Sequence, residues 1–101
     1  MLAEFSITPI GEGESIARYV ADCLRIVEEN GLNYKINPMG TVVEGNFDEV
    51  MALIARCHKA TRKVCNRVST IIKIDDHEGS PDALSKKIES VERIIGQKLK
   101  T

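Results

Sequence analysis

The sequence has no tryptophan and only two tyrosines and two phenylalanines among 101 residues. Recognition of RNA on a sheet surface needs exposed aromatic side chains on which bases stack, and the central strands inferred below offer Phe5 alone, on the side expected to face the helices. Charge of one sign is also missing. Fourteen Lys and Arg oppose fifteen Asp and Glu, for a formal net charge of -1, so no basic field exists to hold a phosphate backbone. No apolar run approaches the roughly 20 residues that span a bilayer. The N-terminus lacks a basic stretch followed by a hydrophobic block and a small-residue cleavage site. Together these absences predict a cytoplasmic chain that touches neither nucleic acid nor membrane. The three cysteines, Cys23, Cys57 and Cys65, are odd in number and lack CxxC spacing, which excludes a closed zinc shell. They read as reduced residues within apolar helical stretches, and no metal site is expected.

What is present suits one domain spanning residues 1–101, since a chain this short builds a single core. Ala3, Phe5 and Ile7 alternate with Glu4, Ser6 and Thr8, the period of a half-buried strand that Pro9 and Gly11 end. From Ser15 the period becomes helical, with Ile16, Val20, Cys23, Leu24 and Val27 on one side and Gly31 as a natural stop. Two short strands, Asn33 to Asn37 and Thr41 to Gly45, are joined through Pro38, Met39 and Gly40 as a hairpin. Asn46 can cap a second helix, with Glu49 reaching back to it. Its apolar stripe from Phe47 through Ile54 and Cys57 to Val68 runs for roughly six turns. Ser69 to Asp75 form a fourth strand, with Ile72 and Ile74 on one face and Ile71, Lys73 and Asp75 on the other. Ser80 and Pro81 suit the start of a last helix carrying Leu84, Ile88, Val91 and Ile95.

This order predicts an α+β sandwich of the split βαβ, ferredoxin-like type: βαββαβ with an additional C-terminal helix and a four-stranded antiparallel sheet. The first and third strands are central, the second borders the third, and the fourth borders the first. Both main helices then cover one sheet face and leave the other bare. Alternation places Leu2, Met39, Val42 and Ile71 there with Ser6, Asn37, Glu44 and Lys73. So large an apolar patch predicts that two or more subunits cover it. The last helix either adds a second contact surface or packs on its own subunit.

A carboxylate shut between apolar sheets costs several kcal/mol unless a positive or hydrogen-bonding group meets it. Glu44 therefore needs a partner. One reading is a Glu44–Lys73 ion pair in a purely structural or regulatory oligomer. The other is that Glu44 meets a cationic or amine-bearing ligand, with Ser6, Asn37 and Thr41 orienting it. An enzyme using the pocket between sheets is a further alternative, although no general acid and base are visibly paired. His58 reads as structural and His77 as a solvated loop residue. Glu12 and Glu14 make the Gly11–Ser15 turn a poor phosphate cradle and Ser15 reads there as a helix cap, so a ligand is expected to bind better in its free form than as its diphosphate.

The chain resembles the YkoF-like thiamine-binding proteins, small cytoplasmic domains long grouped as an uncharacterised family. The resemblance rests on Thr8-Pro9-Ile10-Gly11, Gly31-Leu32-Asn33-Tyr34, Arg67-Val68-Ser69-Thr70 and, above all, Pro38-Met39-Gly40-Thr41-Val42-Val43-Glu44-Gly45. It implies binding of thiamine or its hydroxymethylpyrimidine moiety without catalysis, no cofactor, and homo-oligomers assembled as dimers of dimers. An aminopyrimidine can share hydrogen bonds with a carboxylate or amide, which suits Glu44 and Asn37, and a thiazolium favours an aromatic face such as Tyr19 or Tyr34. The candidate ligand-binding set is thus Ser6, Ser15, Tyr34 and Asn37 with Met39, Thr41 and Glu44. One departure stands out: His77 follows Asp75-Asp76 where the family usually carries arginine.

Overall fold

Alternation along the first strand decides which side of the sheet is core. In the computed structural model, which describes residues 1–13, 16–79 and 82–101, Ala3 and Phe5 are buried while Glu4 between them is exposed. Strands β1 (Leu2–Pro9), β2 (Asn33–Asn37), β3 (Gly40–Glu44) and β4 (Val68–Asp75) form one antiparallel sheet in the order β2-β3-β1-β4. Helices α1 (Ala17–Asn30) and α2 (Phe47–Val64) connect them, and α3 (Ala83–Ile95) follows β4. This is the expected ferredoxin-like split βαβ arrangement.

The core lies between the sheet and the α1–α2 pair, where Phe5, Val27, Val43, Val50, Leu53 and Cys57 are closed to solvent. Each such side chain contributes about 1.5–3 kcal/mol relative to exposure. On α1 the buried row is Tyr19, Cys23 and Val27. Val20, expected in the core, is instead exposed, because α1 overhangs the end of the sheet. Phe47 and Val64, at the ends of the α2 stripe, are exposed too. Cys65 is buried but lies just beyond α2 as its C-cap, not within the helix. Asn46 caps α2 as its sequence suggests, its Oδ1 accepting from the Glu49 N–H at 2.9 Å. The expected start of α3 at Ser80 and Pro81 lies outside the described residues.

The sheet face opposite α1 and α2 is not wholly bare. Helix α3 packs against β3 and β2 on that side, so the reading in which it covers its own subunit holds. Register pairs Leu2 with both Glu44 and Asp75, and Glu4 with both Val42 and Lys73. Lys73 therefore sits across from Glu4, two residues along β1 from Leu2, the partner of Glu44. The Glu44–Lys73 ion pair of the structural alternative does not form; the Glu44 Oε2 accepts from the Leu84 N–H at 3.1 Å. A carboxylate at the first turn of a helix satisfies an otherwise orphaned donor and complements the helix dipole. Lys87, one turn on, forms an ion pair with Asp75 of β4.

Candidate functional site

The two-residue turn Pro38–Met39 brings Asn37 opposite Gly40 and ends the sheet abruptly. Its geometry is held by the Asn37 side chain, whose Oδ1 accepts from the Met39 N–H at 2.8 Å. This is an Asx-type turn, in which a short carboxamide replaces a backbone partner. Gly40 is required there: a Cβ would lie 2.9 Å from the Phe5 carbonyl oxygen, closer than packed atoms allow. Beside this turn, under the overhang of α1, lies a cavity of about 180 Å³. Phe5, Ile7 and Thr41 form its sheet side and Ile16, Val20 and Leu24 its helix side. It is mostly apolar with a few polar groups at the rim, the usual composition of a small-molecule site.

Four of the residues singled out from sequence meet at this cavity: Ser6, Asn37, Met39 and Thr41. They do not share one sheet face. Thr41 pairs with Phe5 and is buried on the helix side, whereas Ser6 and Asn37 alternate to the other side and reach the cavity at its rim. Met39 is 84% exposed at the mouth. Glu44 lies at the far end of β3, about 13 Å away for four residues of extended chain, in an open acidic hollow with Asp76, Glu78 and Asp82. Tyr34 projects beside α1, where its hydroxyl donates to Glu28, and that carboxylate holds the phenol above its ordinary pKa. Ser15 lies outside the described residues.

Neither tyrosine lines the cavity. Tyr19 is buried, donates to Glu12 Oε2 at 3.2 Å, and already carries a cation over its ring, the Arg18 guanidinium at 5.0 Å. That contact ties the β1–α1 loop to the helix, which is the structural role of Glu12. His58 is half-buried with Nδ1 2.6 Å from Thr70 Oγ1, joining α2 to β4. Among the described residues no cluster of three potential ligands could hold a metal ion, and no helix is long and apolar enough to cross a membrane. The helix side of the cavity went unrecognised in the sequence, although its signal was there. Ile16, Val20 and Leu24 recur every four residues and form a row adjacent to the buried Tyr19–Cys23–Val27 row, an apolar surface wider than the core uses.

A family model described as thiamine-binding protein matches residues 3–92. The chain belongs to this thiamine-binding protein family. It is 38% identical over 96 residues to the UPF0045 protein Mb1933 of Mycobacterium bovis, covering 94% of each chain. To the UPF0045 protein YqgV of Bacillus subtilis it is 39% identical over 98 residues, covering 91% of this chain and 94% of that one. Among solved structures, a hypothetical protein of Methanocaldococcus jannaschii superposes with a TM-score of 0.83 at 30% identity, covering 89% of this chain and 93% of its own. A Thermotoga maritima protein named for thiamine biosynthesis or salvage shares the fold with a TM-score of 0.79 at 19% identity, covering 89% and 96%. Family membership supports a ligand-binding role for the chain.

Proposed function

We propose that the chain binds thiamine, or its hydroxymethylpyrimidine moiety, without turning it over, and that the pyrimidine ring occupies the cavity beside the β2–β3 turn. The observation that carries this reading is size. A cavity of about 150 Å³ accommodates benzene in a well-studied model protein, so 180 Å³ suits one substituted six-membered ring. The thiazolium would project past Met39. Thr41 and Ser6 supply hydroxyls that can accept from or donate to an aminopyrimidine. The Asn37 oxygen is committed to the turn, so Asn37 meets the ring with its NH₂ donors. Glu44 acts in this reading as the anchor of α3. A non-catalytic role is supported by the cavity wall, which presents hydroxyls, an amide, apolar groups and the Cys23 thiol but no paired general acid and base.

Exposed apolar groups around the site favour a homo-oligomer. Met39 and Ile36 at the mouth, and Ile71 at 67% exposure on the α3 side of the sheet, present surface that a second copy of the chain would cover. Three free thiols suit a reducing compartment, hence a cytoplasmic location.

The experiment is a melting series with added thiamine. A ligand that binds only the folded state stabilises it by about 2.7 kcal/mol at a hundredfold excess over Kd, so the transition should rise with concentration. Val20→Trp fills the cavity from a position already exposed on its wall and should abolish the rise while leaving the ligand-free melt close to wild type. A chain whose melting is indifferent to thiamine and to the pyrimidine fragment would overturn the proposal.

A further inference from the structure

Two buried thiols face one another where α1 packs on α2. The Cys23 Sγ lies 3.8 Å from the Cys57 carbonyl oxygen, and the Cys57 Sγ lies 3.7 Å from the Cys23 carbonyl oxygen. The contact is reciprocal, each sulfur lying against the other cysteine's backbone; a disulfide between them needs Cβ atoms about 3.8 Å apart. Thr61, one turn along α2, places its hydroxyl 3.2 Å from the Cys23 Sγ while donating to the Cys57 carbonyl at 3.0 Å. The pair is also asymmetric. Cys57 is closed to solvent, whereas Cys23, at 8% exposure, forms part of the cavity wall. A small solute in the cavity therefore meets one sulfur of the two.

The surroundings suit a thiolate at that sulfur. When Cys23 ionises, Cys57 first and Thr61 second can turn their hydrogens from the carbonyl oxygens to its sulfur, which draws the Cys23 thiol below its ordinary value against burial and Asp22. The same hydrogen bond, with burial, pushes the Cys57 thiol up. Access sets the order of reaction: Cys23 meets a solute in the cavity and Cys57 waits behind it.

We propose that Cys23 and Cys57 form a peroxide-reactive dithiol in which Cys23, reached through the cavity, is oxidised first and Cys57 closes a disulfide between α1 and α2. In the first step the Cys23 sulfur attacks the near oxygen of a hydroperoxide. The S–O bond forms, the O–O bond breaks, and the departing oxygen takes a proton and leaves as water or an alcohol. Cys23 is then a sulfenic acid. In the second step the Cys57 sulfur attacks the Cys23 sulfur. The S–S bond forms, the S–O bond breaks, and hydroxide leaves as water with the Cys57 proton. The two thiols together lose two electrons and the hydroperoxide gains them. This inference does not depend on the identity of the ligand, because it uses the cavity only as a path for a small oxidant.

The test treats the folded full-length chain with hydrogen peroxide, removes the excess with catalase, and blocks remaining thiols with N-ethylmaleimide after denaturation. Peptide mapping should find Cys23 linked to Cys57 with Cys65 alkylated, reversed by dithiothreitol. Cys23 should react roughly tenfold faster than Cys65. In Cys57→Ser, dimedone should trap a sulfenic acid on Cys23, which a purely structural cysteine would not give. Oxidation of Cys65 ahead of Cys23 would overturn the proposal. So would a native chain that keeps all three thiols at peroxide levels that oxidise them in the denatured chain.

Discussion

The two ends of β3 solve the same problem in opposite ways. At Gly40 the strand begins against a backbone so close that no side chain fits, and the space left over becomes an apolar cavity roofed by α1. At Glu44 it ends in a carboxylate, and the space is taken by the first turn of α3, whose Leu84 N–H binds that carboxylate. One end is open to a guest from outside the chain; the other has its guest supplied by the chain. The comparison teaches that a half-buried charge on a sheet need not mark a ligand site, because a later helix of the same chain can meet it.

The comparison can be broken or sharpened by substitution. The largest effect is expected in the core between the two ends, where Leu53 of α2 is fully buried. Leu53→Ala should cost about 2–5 kcal/mol, read as a lower urea midpoint with an unchanged slope. Gly40→Ala forces a Cβ toward the Phe5 carbonyl and should cost about 1–3 kcal/mol, as overpacking does. It should also weaken binding of the pyrimidine fragment, because the turn that bears Asn37 and Met39 must shift.

At the other end, Glu44→Ala should loosen α3 by about 1 kcal/mol, the usual cost of losing a helix cap, detected as faster amide exchange in residues 84–88. Affinity for the fragment should be unchanged. Lost affinity with α3 protection intact would move the ligand to the acidic end and reverse the comparison. The smallest effect is the titration of Asp75. Lys87, through its hydrogen bond and charge, holds this carboxyl below its ordinary pKa of 3.8. The stabilisation is therefore present above about pH 4 and is lost as pH falls through the lowered value. It is exposed and screened, so a Lys87→Ala comparison of acid unfolding midpoints should show only a slight difference.

Much of this architecture is legible in the residues themselves. Alternation of Ala3 and Phe5 with Glu4 and Ser6 assigned the faces of β1, and strand count with right-handed connections led to the order β2-β3-β1-β4. The Asn46 cap was readable because its partner, Glu49, is three residues away. What could not be read depends on contacts remote in sequence. Leu84 meets Glu44 across forty positions and Cys57 meets Cys23 across thirty-four, and periodicity carries no information about such meetings. Tyr19 rather than Val20 enters the core because of where α1 lies along the sheet, a matter of a few ångströms that hydrophobic pattern does not record. Thr41 was grouped with Ser6 and Asn37 although one-residue alternation sets it on the opposite face. The candidate site was thus half visible: its turn and rim were found, and its roof was not.

The most direct test separates the two halves of thiamine by isothermal titration. If the cavity beside Gly40 takes a single ring, the hydroxymethylpyrimidine fragment should retain most of the affinity of thiamine, and the thiazole fragment should bind undetectably. Binding of the thiazole fragment with no response to the pyrimidine would contradict the account.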